Sequence, residues 1–142
     1  MESAMDLARQ SFVHKEVPVG AVIVKDNEII GRGCNSMIES NDVTAHAEIN
    51  ALRSASRKIG NYRLNGCSIF VTLEPCHMCA KAIIDARLSW IIFATKEPKT
   101  GSLCSIDNFL KNKALNHKIK YKYGLYEEES SRLLKSFFIH KR

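Results

Sequence analysis

Two short stretches carry residues that can do chemistry. In Thr44-Ala45-His46-Ala47-Glu48 an imidazole and a carboxylate stand two residues apart; in Pro75-Cys76-His77-Met78-Cys79 two thiols stand three residues apart. On the first turn of a helix the latter spacing brings both sulfurs to one face, close enough to share a metal ion. A helix N-terminus also carries positive potential, which favours thiolate over thiol. Two thiols leave a tetrahedral zinc site half-built. Either two further ligands come from elsewhere in the chain, or one does and water takes the last position. His46 is the natural third ligand, because it too opens a helix that follows an apolar hairpin. In α/β proteins sites gather where strands end and helices begin. A lone His is more often structural, and a lone Cys-x-x-Cys can be redox-active; their joint occurrence at two helix starts favours a metal.

Glu48 decides what such a site would do. Two residues along a regular helix rotate by about 200°, so His46 and Glu48 would not share a lateral face. At a helix end, however, side chains can wrap around the first turn. A Glu there can take a proton from water at a metal without ligating the metal itself. A purely structural zinc site has no use for it.

The elements that must position these residues follow from periodicity. Ala4, Leu7, Ala8, Ser11 and Phe12 mark one face of an N-terminal helix. After Pro18, "VGAVIVK" is a strand, Asp26-Asn27 a turn and "EIIGRGCN" the returning hairpin partner. A polar loop, Ser36 to Asp42, leads to a helix that Thr44 could cap and that runs to about Arg57. "CSIFVTL" is a second buried strand, "EPCHMCAKAIIDAR" a helix with Pro75 at its start, and "SWIIFAT" a third strand. The loop "KEPKTGS" and an irregular segment, "LCSIDNFLKNKALNH", precede a strand in "KIKYKYGL". "YEEESSRLLKSFFIHKR" is a closing helix with Leu133, Leu134, Phe137 and Phe138 on its buried side, acidic at its start and basic at its end. Strands apolar on both faces, alternating with helices, predict a sheet covered by helices on two sides.

Size and composition suit one domain, residues 1–142, with 45% hydrophobic and 25% charged residues. The N-terminus has no apolar leader and no run approaches membrane-spanning length, so a cytoplasmic location is expected. Of the five cysteines, Cys34, Cys67 and Cys104 are isolated and read as small core residues. The net charge of +6 is uneven: residues 1–80 hold 8 Lys and Arg against 9 Asp and Glu, residues 81–142 hold 13 against 6. Between Asp107 and Glu127 there is no acidic residue, while Lys111, Lys113, Lys118, Lys120 and Lys122 alternate in part with Tyr121 and Tyr123. A solvated basic face accounts for such a run; attraction to nucleic-acid phosphates is the sharper explanation.

The two chemical stretches fit the H-x-E…P-C-x-x-C signature of the zinc nucleoside and nucleobase deaminases. Within that superfamily the chain resembles the bacterial tRNA-specific adenosine deaminases. The likeness spans "EVPVGAVIV" (16–24), "GRGCN" (31–35), "TAHAEI" (44–49), "NYRL" (61–64), "VTLEPCHMC" (71–79), "KTGS" (99–102), "NH" (116–117) and the C-terminal "FF". The resemblance implies a three-layer α/β/α cytidine-deaminase-like fold around a mixed sheet of about five strands. It also implies one zinc ion per subunit on His46, Cys76 and Cys79, with Glu48 as proton shuttle. Asn35 and the Ala47 backbone would meet the substrate base, and the enzyme would be a homodimer. Its substrate would be the wobble adenosine of a tRNA anticodon stem-loop, converted to inosine. Lys99, Lys111, Lys113, Asn116, His117, Lys118, Lys120 and Arg142 are the candidate RNA contacts. Val43, Glu97 and Cys104 depart from the family pattern without touching the zinc chemistry. The rival readings are a deaminase of free cytosine, guanine or cytidine, and a non-catalytic zinc-containing RNA-binding subunit.

Overall fold

The computed structural model describes residues 1–141. In chain order these form α1 (Glu2–Val13), β1 (Gly20–Lys25), β2 (Glu28–Cys34), α2 (Met37–Ser40), α3 (Ala47–Ile59), β3 (Ser68–Leu73), α4 (His77–Asp85), β4 (Trp90–Thr95), β5 (Lys120–Tyr123) and α5 (Glu127–Lys141). Among the described residues the strands make one five-stranded sheet in the order β2-β1-β3-β4-β5. β1 is antiparallel to β2 and β3, whereas β3, β4 and β5 run parallel.

Alternation along the strands assigns the layers. Ala21, Ile23, Ile69, Val71, Ile91 and Phe93 share one face and join Ala47, Ala51 and Ala55 of α3 and Ala80 and Ile83 of α4 in the core. On the other face Gly20 lies directly under α1, and the Ser130 hydroxyl of α5 donates to the Thr72 carbonyl at 2.6 Å. α1 and α5 meet through Phe12 and Phe137, whose rings pack edge to face at 5.8 Å. Helices on both faces of a mixed sheet make the expected α/β/α sandwich.

The β1–β2 hairpin turns on Asp26 and Asn27, both at positive φ (50° and 62°), as a tight primed turn requires. Because β2 runs back beside β1, it ends at the edge of the sheet where β3 and β4 also end. α3 and α4 both start from that edge. β5 is a four-residue edge strand whose lysines alternate with Tyr121 and Tyr123; both rings stack on Phe93, at 6.0 and 5.2 Å.

Several local expectations are corrected. Thr44 does not cap α3: its N–H and hydroxyl both donate to Asp42 Oδ1, at 2.8 and 2.7 Å, and the helix begins at Ala47. α4 begins at His77 with Cys76 as N-cap, two residues later than the proline predicted. The polar loop contains the one-turn helix α2, whose Ile38 and Glu39 N–H groups donate to the buried carboxylate of Glu16, both at 2.9 Å. In α5 Phe137 is buried, Leu133 and Leu134 are half-buried, and Phe138 is exposed, because the helix touches the sheet along a narrow stripe. Cys67 is a core residue as expected, whereas Cys34 and Cys104 are half-buried.

Candidate active site

The chain closes a three-donor cluster at the common strand edge. His46 Nδ1 lies 3.7 Å from Cys76 Sγ and 3.5 Å from Cys79 Sγ, and all three donor atoms fall within 4.8 Å of one another. Zn–S and Zn–N bonds of about 2.3 and 2.0 Å at tetrahedral angles imply N···S separations of about 3.6 Å. The donor set therefore has the spacing, as well as the chemistry, of a metal site. Two helix starts deliver it: His46 is the extended N-cap of α3 and Cys76 the extended N-cap of α4.

The electrostatics of the cluster favour a cation. The Cys76 thiol is brought down to about 4, chiefly by the hydrogen bond from Cys79, with further bonds from His46 and the Cys79 main-chain N–H. Cys79 is pushed up by donating that bond, by burial, and by the negative charge of Glu48 and Cys76. The hydrogen bond with Cys76 also raises His46. A divalent cation held between them would let both thiols ionise.

Glu48 sits in the first turn of α3 and is 4% exposed. Burial pushes its carboxyl up to about 7, which suits a group that must accept and return a proton near neutral pH. Asn35 accepts a hydrogen bond from the Ala47 N–H at 2.8 Å, so its side-chain oxygen satisfies a free donor at the start of α3. Its own backbone is tied to Val19 and to the Ser11 hydroxyl. These bonds tie the start of α3, and His46 with it, to the end of β2.

Sequence reasoning missed a second buried carboxylate beside the cluster. Glu74, 2% exposed, directly follows β3 and precedes Pro75-Cys76. Its Oε2 accepts from the N–H groups of Leu103, Cys104 and Ser105 at 3.0, 3.0 and 3.1 Å. Its Oε1 accepts from the Glu97 N–H at 3.2 Å and from the Ser105 hydroxyl. Burial opposes ionisation, yet these hydrogen bonds together hold the carboxyl below its ordinary range. The signal was present: a buried strand running straight into Glu must satisfy that charge somewhere. A third feature, His77 Nε2 at 2.8 Å from Asp107 Oδ2, ties the same loop to the first residue of α4.

The candidate RNA contacts fall into separate groups. Lys99 is exposed on the loop after β4, at the metal edge. Lys118 and Lys120 lie at the opposite edge, where β4 and β5 begin, with Asn116 and His117 beside them. There the His117 ring pairs with the Leu88 carbonyl at 2.6 Å, and the Asn116 carbonyl accepts from Arg87 at 3.1 Å. A concavity of about 480 Å³ next to them is lined by Trp90, Asn108, Lys111, Lys120 and Lys122, among others. Lys113 is exposed in the preceding connection, and Arg142 lies outside the described residues.

Both the donor set and the layer order define a class, and comparison with known proteins agrees. The model of the MafB19-like deaminase family matches residues 1–142. The tRNA-specific adenosine deaminase of Aquifex aeolicus is 43% identical over 97% of this chain and 91% of its own length. That of Agrobacterium fabrum is 43% identical over 100% of this chain and 93% of its own. A structure from a study of A-to-I editing by tRNA:A34 deaminases superimposes with a TM-score of 0.92 at 42% identity, covering 94% of this chain and 97% of that one. Guanine deaminase from Nitrosomonas europaea shares the fold, with a TM-score of 0.82 at 21% identity over 96% of this chain and 81% of that one. The chain belongs to the MafB19-like deaminase family and to the tRNA-specific adenosine deaminases.

Proposed function

We propose that this protein hydrolyses adenosine to inosine and ammonia at the wobble position of a tRNA anticodon. The observation that carries the chemistry is the buried Glu48 beside the His46–Cys76–Cys79 cluster. Full-length similarity to enzymes named for tRNA adenosine supports the substrate. Zinc is the metal best suited to one imidazole and two thiolates, one ion per subunit. When bound, it supplies a Lewis acid that makes water nucleophilic near neutral pH. Glu48 takes the proton from the attacking water and carries it to N1 of an adenine extruded from the anticodon loop. As the C6–N bond breaks, Glu48 takes the remaining proton from the new C6 hydroxyl and passes it to the amino group, which leaves as ammonia while the oxygen stays as the inosine carbonyl. The Asn35 amide and the main chain at Ala47 would orient the base. A homodimer acting in the cytoplasm belongs to the same reading and is supported by the family resemblance.

The deciding experiment incubates the protein with tRNA, digests the RNA and looks for inosine. Wild type should form it. Glu48→Gln should retain one equivalent of metal and lose at least about a hundredfold in rate. Consumption of a free base or nucleoside without inosine in tRNA would replace the substrate assignment, and a variant near the wild-type rate would refute the shuttle.

A further inference from the structure

We propose that Glu74 is a positioning residue. Its carboxylate locks the loop after β4 against the start of α4, and so holds one wall of the site in its RNA-binding position. Both oxygens of this buried group are used, and the six donors, the Cys104 thiol at 3.7 Å among them, span residues 97–105, more than twenty positions away in the chain. The bond from Glu97 secures the front of the loop, and those from Leu103, Cys104 and Ser105 secure its return. The neighbouring residue reinforces the lock: the Pro75 carbonyl accepts from both the N–H and the hydroxyl of Ser102, at 3.0 and 2.9 Å. Between these anchors Gly101 passes so close that a Cβ there would lie 2.4 Å from the Glu74 carboxyl carbon. The loop is therefore shaped around the carboxylate. Its outward residues, Lys99 and Ile106, stand exposed, and Asp107 reaches His77 beside the metal ligand Cys76.

A loop held this way offers its outer surface to RNA without an ordering cost at each encounter. If the lock loosens, only the fraction of molecules with the loop in place binds, and the apparent affinity falls by that fraction. The inference rests on the tRNA reading above. It assigns Glu74 to substrate binding and leaves proton transfer to Glu48.

Glu74→Gln tests it. The amide oxygen can replace one carboxylate oxygen, but the NH₂ must face a site that received donors, so the bond from Glu97 or those from the return are lost. The substitution orphans at least two buried donors, and once that has exhausted the margin of the lock each further 1.4 kcal/mol or so lowers the competent fraction about tenfold. Glu74→Gln should therefore raise the KM for tRNA about tenfold, change kcat by less than about threefold, and keep the metal. Faster hydrogen exchange should be confined to residues 97–106. Gly101→Ala should have the same effect in the wild type and none on top of Glu74→Ala, where its Cβ has room. Should Glu74→Gln fold poorly, Ser105→Ala removes a single donor and should raise KM to a smaller degree. An unchanged KM, or a loss confined to kcat or metal content, overturns the proposal. Wild type without inosine formation overturns the tRNA reading instead, while the exchange pattern and the Gly101–Glu74 coupling still report on the lock.

Discussion

A carboxyl shut away from water keeps its proton, and Glu48 accepts that penalty because its position matters more than its comfort. In metal-free protein the folded state holds this proton up to about 7, while the unfolded chain releases it near 4.5. Folding is then unpenalised below the lower value and loses stability as pH rises through the window, up to about 3 kcal/mol above the upper value. Glu48→Gln has no proton to lose. In metal-stripped protein the stability advantage of Glu48→Gln over wild type, measured by urea denaturation, should therefore grow by about 3 kcal/mol between pH 4 and pH 8. A constant difference would contradict the burial argument. At this scale the donors were legible in the sequence, since the offsets between Cys76 and Cys79 and between His46 and Glu48 are local. Glu74 was half legible: the buried strand running into it signalled a charge to satisfy, but most of its partners are backbone N–H groups, which no residue type advertises.

The placement of His46 depends on how α3 meets β2. A Cβ on Gly33 would lie 2.3 Å from the Ala47 carbonyl oxygen and 2.4 Å from the Ala51 nitrogen, both backbone atoms that cannot swing aside. Gly33→Ala must lift the first turn of α3 off the sheet. It should cost about 1–3 kcal/mol by chemical denaturation and also weaken metal binding, because His46 moves with that turn. Unchanged metal affinity would mean that Asn35 alone holds the helix start. The hairpin was readable from Asp26-Asn27 between apolar runs, and the long helices of the outer layers from their period. α2 was not: four residues cannot signal a helix, and the Glu16 that caps it lies twenty-two positions away. The exposure of Phe138 depends on how much of α5 the sheet reaches, which periodicity within the helix does not specify.

For the molecule as a whole, the charge imbalance between the two parts of the chain becomes a spatial one. The lysines of residues 111–122 occupy the β5 side of the sheet, and Lys99 stands at the metal edge. If about four of them meet phosphates, log K for tRNA should fall with log salt at a slope of about −3, a loss of roughly sixtyfold between 50 and 200 mM. A slope near zero would reduce the basic face to a solubility device. A sheet with helices on both faces was legible because apolar runs on both faces admit few other arrangements, while its mixed strand directions came from the family resemblance. The separation of the basic residues into two edges was not, since it follows from the parallel crossovers.

Among the described residues β5 is also an outer edge of the sheet. Its unpaired backbone groups are a template on which a strand from another molecule could add. With four residues and lysines at alternate positions, any second copy approaching edge to edge would bring like charges together before a hydrogen bond could form. The same lysines that face the surroundings as a basic rim thus stop the sheet from growing between molecules. A filament of this protein would begin where Lys120 and Lys122 were neutralised.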